Sequence, residues 1–172
     1  MPGHTTALLA VYPQYSCSGQ KVEIAKCGGI YPIVLCPGNE KTYWFIEDLL
    51  DEMCQLFTST LFHIGGDETP KKEWAKCERC QKKIRENNLN NEIELQGYFT
   101  NRVVEMLEKR GKQAICWNDS LEAGNLFPKI IIQYWSVQYA EFIPEFLRGG
   151  NKTESPHVKN RQFNYIYYQK DY

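Results

Sequence analysis

The stretch Leu61-Phe62-His63-Ile64-Gly65-Gly66-Asp67-Glu68 joins a short apolar run to two glycines and two adjacent carboxylates. An apolar run of strand length closed by breakers predicts a buried strand. Glycines at a strand end weaken the strand, but without a Cβ they allow a tight turn and let a ligand approach the backbone. Upstream, Pro37-Gly38-Asn39-Glu40 supplies a turn and a cap, and Ile46, Leu49, Leu50, Met53 and Phe57 recur at helical spacing, which predicts a helix over 39–58. Downstream, Phe99, Val103, Met106 and Leu107 form a second helical stripe stopped by Gly111. Apolar runs at 113–117 and 130–135 read as two further strands, and 137–147 reads as a mostly apolar helix. Strands alternating with helices predict an α/β chain with a parallel sheet, whose sites lie beyond the carboxyl ends of the strands.

Composition narrows the function classes. The 172 residues carry 20 Lys+Arg against 21 Asp+Glu, so no nucleic-acid partner or anionic membrane surface is expected to be held by charge. The longest apolar stretches, such as Thr6 to Tyr12, fall far short of the roughly 18 to 20 residues that span a bilayer. Residues 1–13 have neither the basic segment nor the apolar segment of a signal peptide, and the chain is expected to be internal to something larger. Residues 12–38 lack periodicity and hold several glycines and prolines, which predicts a long loop of the functional kind. The tail after Asn151 turns polar and then tyrosine-rich.

Asp67 and Glu68 are the candidate chemical groups. On spacing alone the same segment also reads as a polar loop capping the next helix through Asp67 or Thr69. Trp117 and Trp135 end the next two strands and are placed near the same rim, where aromatic faces beside carboxylates suit the C–H face and hydroxyls of a sugar. Taken singly, each reads as core packing. Asp119 reads as a helix cap in preference to a rim residue, and His63 as a satisfied interior histidine. Cys77-x-x-Cys80 is rejected as a zinc site because no second pair stands at suitable spacing, so no metal is expected. The odd total of seven cysteines fixes no disulfide pattern. Asn118-Asp-Ser and Asn151-Lys-Thr fit the glycosylation pattern without deciding anything.

In this order and spacing, MPGHTTALLAVYP, CPGNEKTYWFIEDLLDE, HIGGDE, ICWNDSLEAG and IIQYWS resemble the catalytic barrel of family 20 glycoside hydrolases, the β-N-acetylhexosaminidases. The resemblance covers about 1–150 and implies a partial (β/α)8 TIM barrel, with 151–172 as a tail holding at most a truncated seventh strand. It implies that Glu68 is the general acid/base, that Asp67 orients and polarises the substrate's 2-acetamido group, that Trp117 and Trp135 line the N-acetyl pocket, and that His4 joins the polar network beneath the acid. Substrates would be glycans or chitin oligosaccharides ending in N-acetylglucosamine or N-acetylgalactosamine, cleaved without metal or organic cofactor, in an extracytoplasmic setting. Adjacent carboxylates at one strand end approach a substrate from one side, whereas ordinary glycosidases flank the bond. In the family the substrate's own acetamide oxygen is the nucleophile.

The chain also departs from the family. The substrate-binding arginine near the first strand, the acidic residue before the PGH turn and the late Trp-x-Glu have no counterpart, so the remainder of the barrel is the expected partner. An open sheet of this kind is expected to expose apolar faces at Leu8, Leu9 and 130–132. In the tail, Tyr165, Tyr167 or Tyr168 with Asp171 could be a later substrate-contacting pair. A sugar-binding or structural remnant without activity is the alternative reading, and the isolated 172 residues are expected to be inactive.

Overall fold

Both long helices begin where an asparagine side chain satisfies the free amide groups of the first turn. In the computed structural model, which describes residues 1–148 and 163–164, a short helix α1 (Thr6–Val11) precedes α2 (Glu40–Leu56), whose first turn is capped by Asn39 accepting from the Lys41 N–H. Thr42, Tyr43, Ile46 and Leu50 form the buried face of α2. Strand β1 (Leu61–His63) is followed by α3 (Lys72–Lys76), α4 (Glu78–Glu86) and α5 (Glu92–Lys109). The Asn91 side chain accepts from both Ile93 and Glu94 at the start of α5, and the helix stops before Gly111, which adopts φ +68°. Strands β2 (Gln113–Trp117) and β3 (Ile131–Gln133), helix α6 (Ile143–Arg148) and the two-residue strand β4 (Phe163–Asn164) complete the order.

The four strands are parallel and lie in sequence order, with Leu61 opposite Gln113, Ile115 opposite Ile131 and Ile132 opposite Phe163. An order that never reverses is the winding of a (β/α)8 barrel; a doubly wound sheet has a switch point. Phe99, Val103 and Leu107 of α5 pack with Tyr43, Ile46 and Leu50 of α2 in one large core that Leu9, Ile64, Cys116 and Ile132 also enter. A smaller core gathers Val34, Cys36, Trp74, Cys77, Cys80, Ile84 and Leu95.

Two expectations fail here. The run 61–64 is not a buried strand: β1 pairs only with β2 among the described residues, leaving Leu61 43% exposed, while Ile64 just past the strand is buried. Leu9 and 130–132 are not exposed faces; they are buried, and Leu8 is half-buried, because Leu9 enters the main core and β3 is flanked on both sides. The segment 12–38 is a long loop, as expected, and it has internal order. It contains a turn at Pro13–Tyr15, and its two ends meet in an antiparallel bridge between Ser16 and Leu35, with the Cys36 N–H donating to the Tyr15 carbonyl at 2.8 Å.

Candidate active site at the carboxyl end of the sheet

Beyond β1 the chain keeps pairing with β2: the Ile64 N–H donates to Ile115 at 2.8 Å, and the Trp117 N–H donates to Gly65 at 2.9 Å. Gly65 and Gly66 then turn at φ +77° and +104°. A Cβ on Gly66 would lie 2.1 Å from Ser120 Oγ, so the turn needs both the glycine backbone and its missing side chain. The buried Gln96 amide donates to the Gly66 carbonyl at 2.8 Å from α5. The turn that aims the carboxylates is thus held from two sides.

Glu68 adopts φ +43°, a conformation that costs a non-glycine residue roughly 1–3 kcal/mol and persists where the surroundings enforce it. Its N–H donates to Asp119 Oδ1 at 3.2 Å. His4, itself at φ +52°, places Nε2 3.2 Å from Asp67 Oδ2 and 3.2 Å from Glu68 Oε2. Those three atoms all lie within 4.8 Å of one another. The PGH turn sits directly on the backbone of the acids, since a Cβ on Gly3 would come 2.9 Å from the Asp67 carbonyl. Neither Asp67 nor Thr69 caps the next helix: Lys71 stands at the cap position of α3 and makes no side-chain cap bond, and Thr69 Oγ1 donates to the Asp67 carbonyl instead.

Asp119 corrects the sequence reading. It is a buried rim residue, not a helix cap, and its second oxygen accepts the Trp135 indole N–H at 2.5 Å. Burial raises its carboxyl above the ordinary value, against the opposing hydrogen bonds from Glu68 and Trp135. Asn118 accepts the Trp135 and Ser136 amides and donates to the Ser136 carbonyl, so this buried side chain is fully engaged and unsuited to carry a glycan. Trp117 and Trp135 meet edge-on at 6.0 Å, and the His63 ring packs on Trp117 at 4.6 Å. His63 is exposed on the edge strand and accepts the Gly65 N–H through Nδ1, so it shapes the turn and is not an interior histidine.

Glu68 borders two clefts. One of about 210 Å³ is walled by Ile30, Gln96, Asp119, Glu122 and Tyr139; the other, about 430 Å³, is walled by His4, Cys27, Tyr31 and Ile33. Trp117 and Trp135 line neither, so the structure ties the indoles to the acids through Asp119 without placing them on these cleft walls. Gln96 and Tyr139 lie in no motif by which the sequence could have marked them, and Glu122, although inside ICWNDSLEAG, was given no role there. Tyr165, Tyr167, Tyr168, Asp171 and Asn151 lie outside the described residues.

Among the described residues, two groups could hold a metal: His4 with Asp67 and Glu68, and Cys17 with Cys36, Cys77 and Cys80. The first is the half-exposed acid cluster itself. The second removes the ground on which the Cys77-x-x-Cys80 pair was rejected, because Cys17 and Cys36 arrive from the long loop.

The model of the family described as glycosyl hydrolase family 20, catalytic domain, matches residues 1–170. A beta-hexosaminidase of Porphyromonas gingivalis is 43% identical over 135 residues, covering 78% of this chain and 17% of the relative. A beta-hexosaminidase subunit beta of Entamoeba histolytica is 31% identical over 140 residues, covering 78% and 25%. Among solved structures, the chitobiase of Flavobacterium johnsoniae superposes with a TM-score of 0.79 at 34% identity, over 88% of this chain and 24% of that one. The beta-N-acetylhexosaminidase of Bacteroides fragilis gives 0.76 at 31% identity, over 86% and 29%. The chain therefore spans under a third of the length of these relatives.

Proposed function

The chain belongs to glycosyl hydrolase family 20, and from that premise we propose that, within a complete catalytic barrel, it supplies the acid pair of an exo-β-N-acetylhexosaminidase. The single observation that supports this reading is the gathering of one Asp67 oxygen and one Glu68 oxygen around the same His4 nitrogen, all within 4.8 Å. Two carboxylates sharing one partner approach a glycoside from the same side. An inverting pair needs roughly 6.5–9.5 Å between its groups to admit water, and a retaining pair needs about 5–5.5 Å with the sugar between them. The nucleophile therefore comes from elsewhere, and family 20 supplies it as the substrate's own acetamide oxygen.

In the first step the acetamide oxygen attacks the anomeric carbon, the C–O bond to the leaving group breaks, and Glu68 transfers its proton to the departing oxygen. Asp67, ionised, accepts a hydrogen bond from the acetamide N–H as positive charge develops on the forming oxazolinium ring. Water then opens that ring, giving its proton to Glu68, with net retention at the anomeric centre. Asp119 positions Glu68 through the backbone and Trp135 through the indole, and the Trp117–Trp135 pair supplies the apolar surface for the acetyl methyl. Substrates are N-acetylhexosamine-terminated glycans, chitin oligosaccharides among them.

The test compares a chromogenic N-acetylglucosaminide with the plain glucoside on the full-length protein that carries this chain. The reading requires turnover of the first alone, together with calorimetric binding of a thiazoline mimic of the intermediate. Comparable turnover of the plain glucoside overturns it. Sugar binding with no hydrolysis of either returns the alternative of an inactive remnant.

A further inference from the structure

Four of the seven cysteines converge in the smaller core. Cys36 Sγ lies 3.6 Å from Cys80 Sγ and 3.8 Å from Cys77 Sγ, and Cys17 Sγ lies 3.8 Å from Cys80 Sγ. All four sulfurs fall within 4.8 Å of one another, and none is bonded to another. Zinc–sulfur bonds of about 2.3 Å in a tetrahedron put the sulfurs roughly 3.8 Å apart along each edge. Three of the six edges match that spacing, and the other three lie within 4.8 Å.

A cation and a backbone N–H stand beside this cluster. The Arg79 guanidinium hydrogen-bonds the Cys77 sulfur and also donates to the carbonyls of Ser16 and Cys17 at 3.1 and 3.0 Å. The Gly38 N–H is directed at the Cys36 sulfur. Gly38 can hold that position only without a side chain: a Cβ would lie 2.3 Å from the Arg79 carbonyl carbon and 2.4 Å from the Cys80 nitrogen. The Cys36-Pro37-Gly38 turn thus rests against the first turn of α4, which itself carries Cys80 and is preceded by Cys77. Cys36, Cys77 and Cys80 are buried, where uncharged thiols would satisfy one another weakly.

We propose that Cys17, Cys36, Cys77 and Cys80 bind one zinc ion in a closed, all-thiolate structural site. Each thiol gives up its proton on loading, so four protons leave for each zinc bound and the dianionic centre faces Arg79. An all-sulfur tetrahedral set selects zinc or an iron–sulfur group over magnesium or calcium, and four ligands leave no open position for catalysis. None of the four lines the clefts beside Glu68. The ion instead fastens both ends of the loop to α4, and that loop carries Cys27, Ile30 and Tyr31, which do line them.

The experiment uses the untagged full-length protein grown with added zinc. Mass-spectrometric metal analysis is expected to give one zinc per chain, released in step with mercurial modification of four thiols. Cys36→Ser and Cys80→Ser are expected to lower the stoichiometry from one to near zero, while Cys54→Ser keeps it. Because cysteine variants can fail to fold, wild-type protein is also reloaded with cobalt(II). Intense visible bands with thiolate charge transfer in the near ultraviolet support the site. Folded wild-type protein with four freely titrating thiols and no bound metal overturns the proposal. So do a native mass reduced by four hydrogens, which marks two disulfides, and iron in place of zinc.

Discussion

Asp119 accepts the backbone N–H of Glu68 at 3.2 Å across a sequence separation of 51 residues. The bond joins the turn after β1 to the turn after β2, so the position of the acid is set by the neighbouring strand. The other Asp119 oxygen binds the Trp135 indole, which brings the turn after β3 into the same arrangement. Three successive strand ends thus share one buried carboxylate.

Glu68→Gln keeps the shape of the side chain and removes the proton. In the full-length protein, turnover of a natural glycoside is expected to fall by roughly 10² to 10⁴ with little change in KM. Steady-state kinetics read this, and wild-type turnover would remove Glu68 from the acid role.

Asp67→Asn is expected to cost about 10²- to 10³-fold in kcat on N-acetylglucosaminides, the usual loss for one electrostatic contact to a charge that grows in the transition state. The thiazoline mimic should weaken in parallel. A variant that loses turnover yet binds the mimic as the wild type does would contradict the assignment.

Burial raises the Asp119 carboxyl above its ordinary value near 3.8. A raised folded-state value means that the native chain holds more protons than the unfolded chain between the two values. The stability contributed by Asp119 is therefore full below about 3.8 and is lost as pH rises through the folded-state value. Asn at this position cannot titrate, so the stability of wild type relative to Asp119→Asn should decline as pH is raised from the acid side towards neutrality. Denaturant titrations across that range check it, and a pH-independent difference would show that the carboxyl is not perturbed.

Gly66→Ala asks an alanine to hold φ +104° with its Cβ 2.1 Å from Ser120 Oγ. The backbone term alone costs roughly 1–3 kcal/mol, and the clash must displace either the Ser120 hydroxyl from the Gly66 carbonyl or the turn that carries Asp67 and Glu68. Thermal unfolding should register the loss of stability, and kcat should fall although no reacting group has changed. Stability equal to wild type would mean that the turn relaxes freely.

Phe99→Ala removes a ring that is 1% exposed between α5 and α2 and is expected to destabilise by about 3–5 kcal/mol. Asn91→Ala, which deletes only the cap of α5, should cost about 1 kcal/mol. The ratio of the two, read by denaturant unfolding, tests whether packing outweighs capping in fixing this helix.

Helices α2 and α5 and strand β2 were legible because their signals are local: Asn39, Asn91 and Gly111 punctuate them, and one apolar stripe repeats within each. Helix α1 was not, since Thr5 caps it with no side-chain bond and its six residues read simply as an apolar stretch. The exposure of Leu61 and His63 depends on what pairs with β1, which a strand's own residues do not state. Asp67, Glu68 and His4 could be read as candidates because the motifs containing them are compact, and the structure brings the three together. Asp119 was misread because a carboxylate just after a strand looks like any helix cap until the neighbouring turn is in place. The cysteine cluster also needed long-range information: Cys36 and Cys80 are 44 residues apart and Cys17 and Cys80 are 63 apart, and no short spacing records that a loop folds back onto a helix.

The bridge between Ser16 and Leu35 fixes the mouth of the loop, Val22 pins its first half to the main core, and the stretch 26–30 is left exposed and free to change. Once both ends are anchored, doubling the enclosed length costs only about 0.6 kcal/mol in closure entropy. The cleft wall that carries Cys27, Ile30 and Tyr31 is therefore an exchangeable cassette, open to new lengths and new side chains, while the acids opposite stand on a turn that tolerates neither.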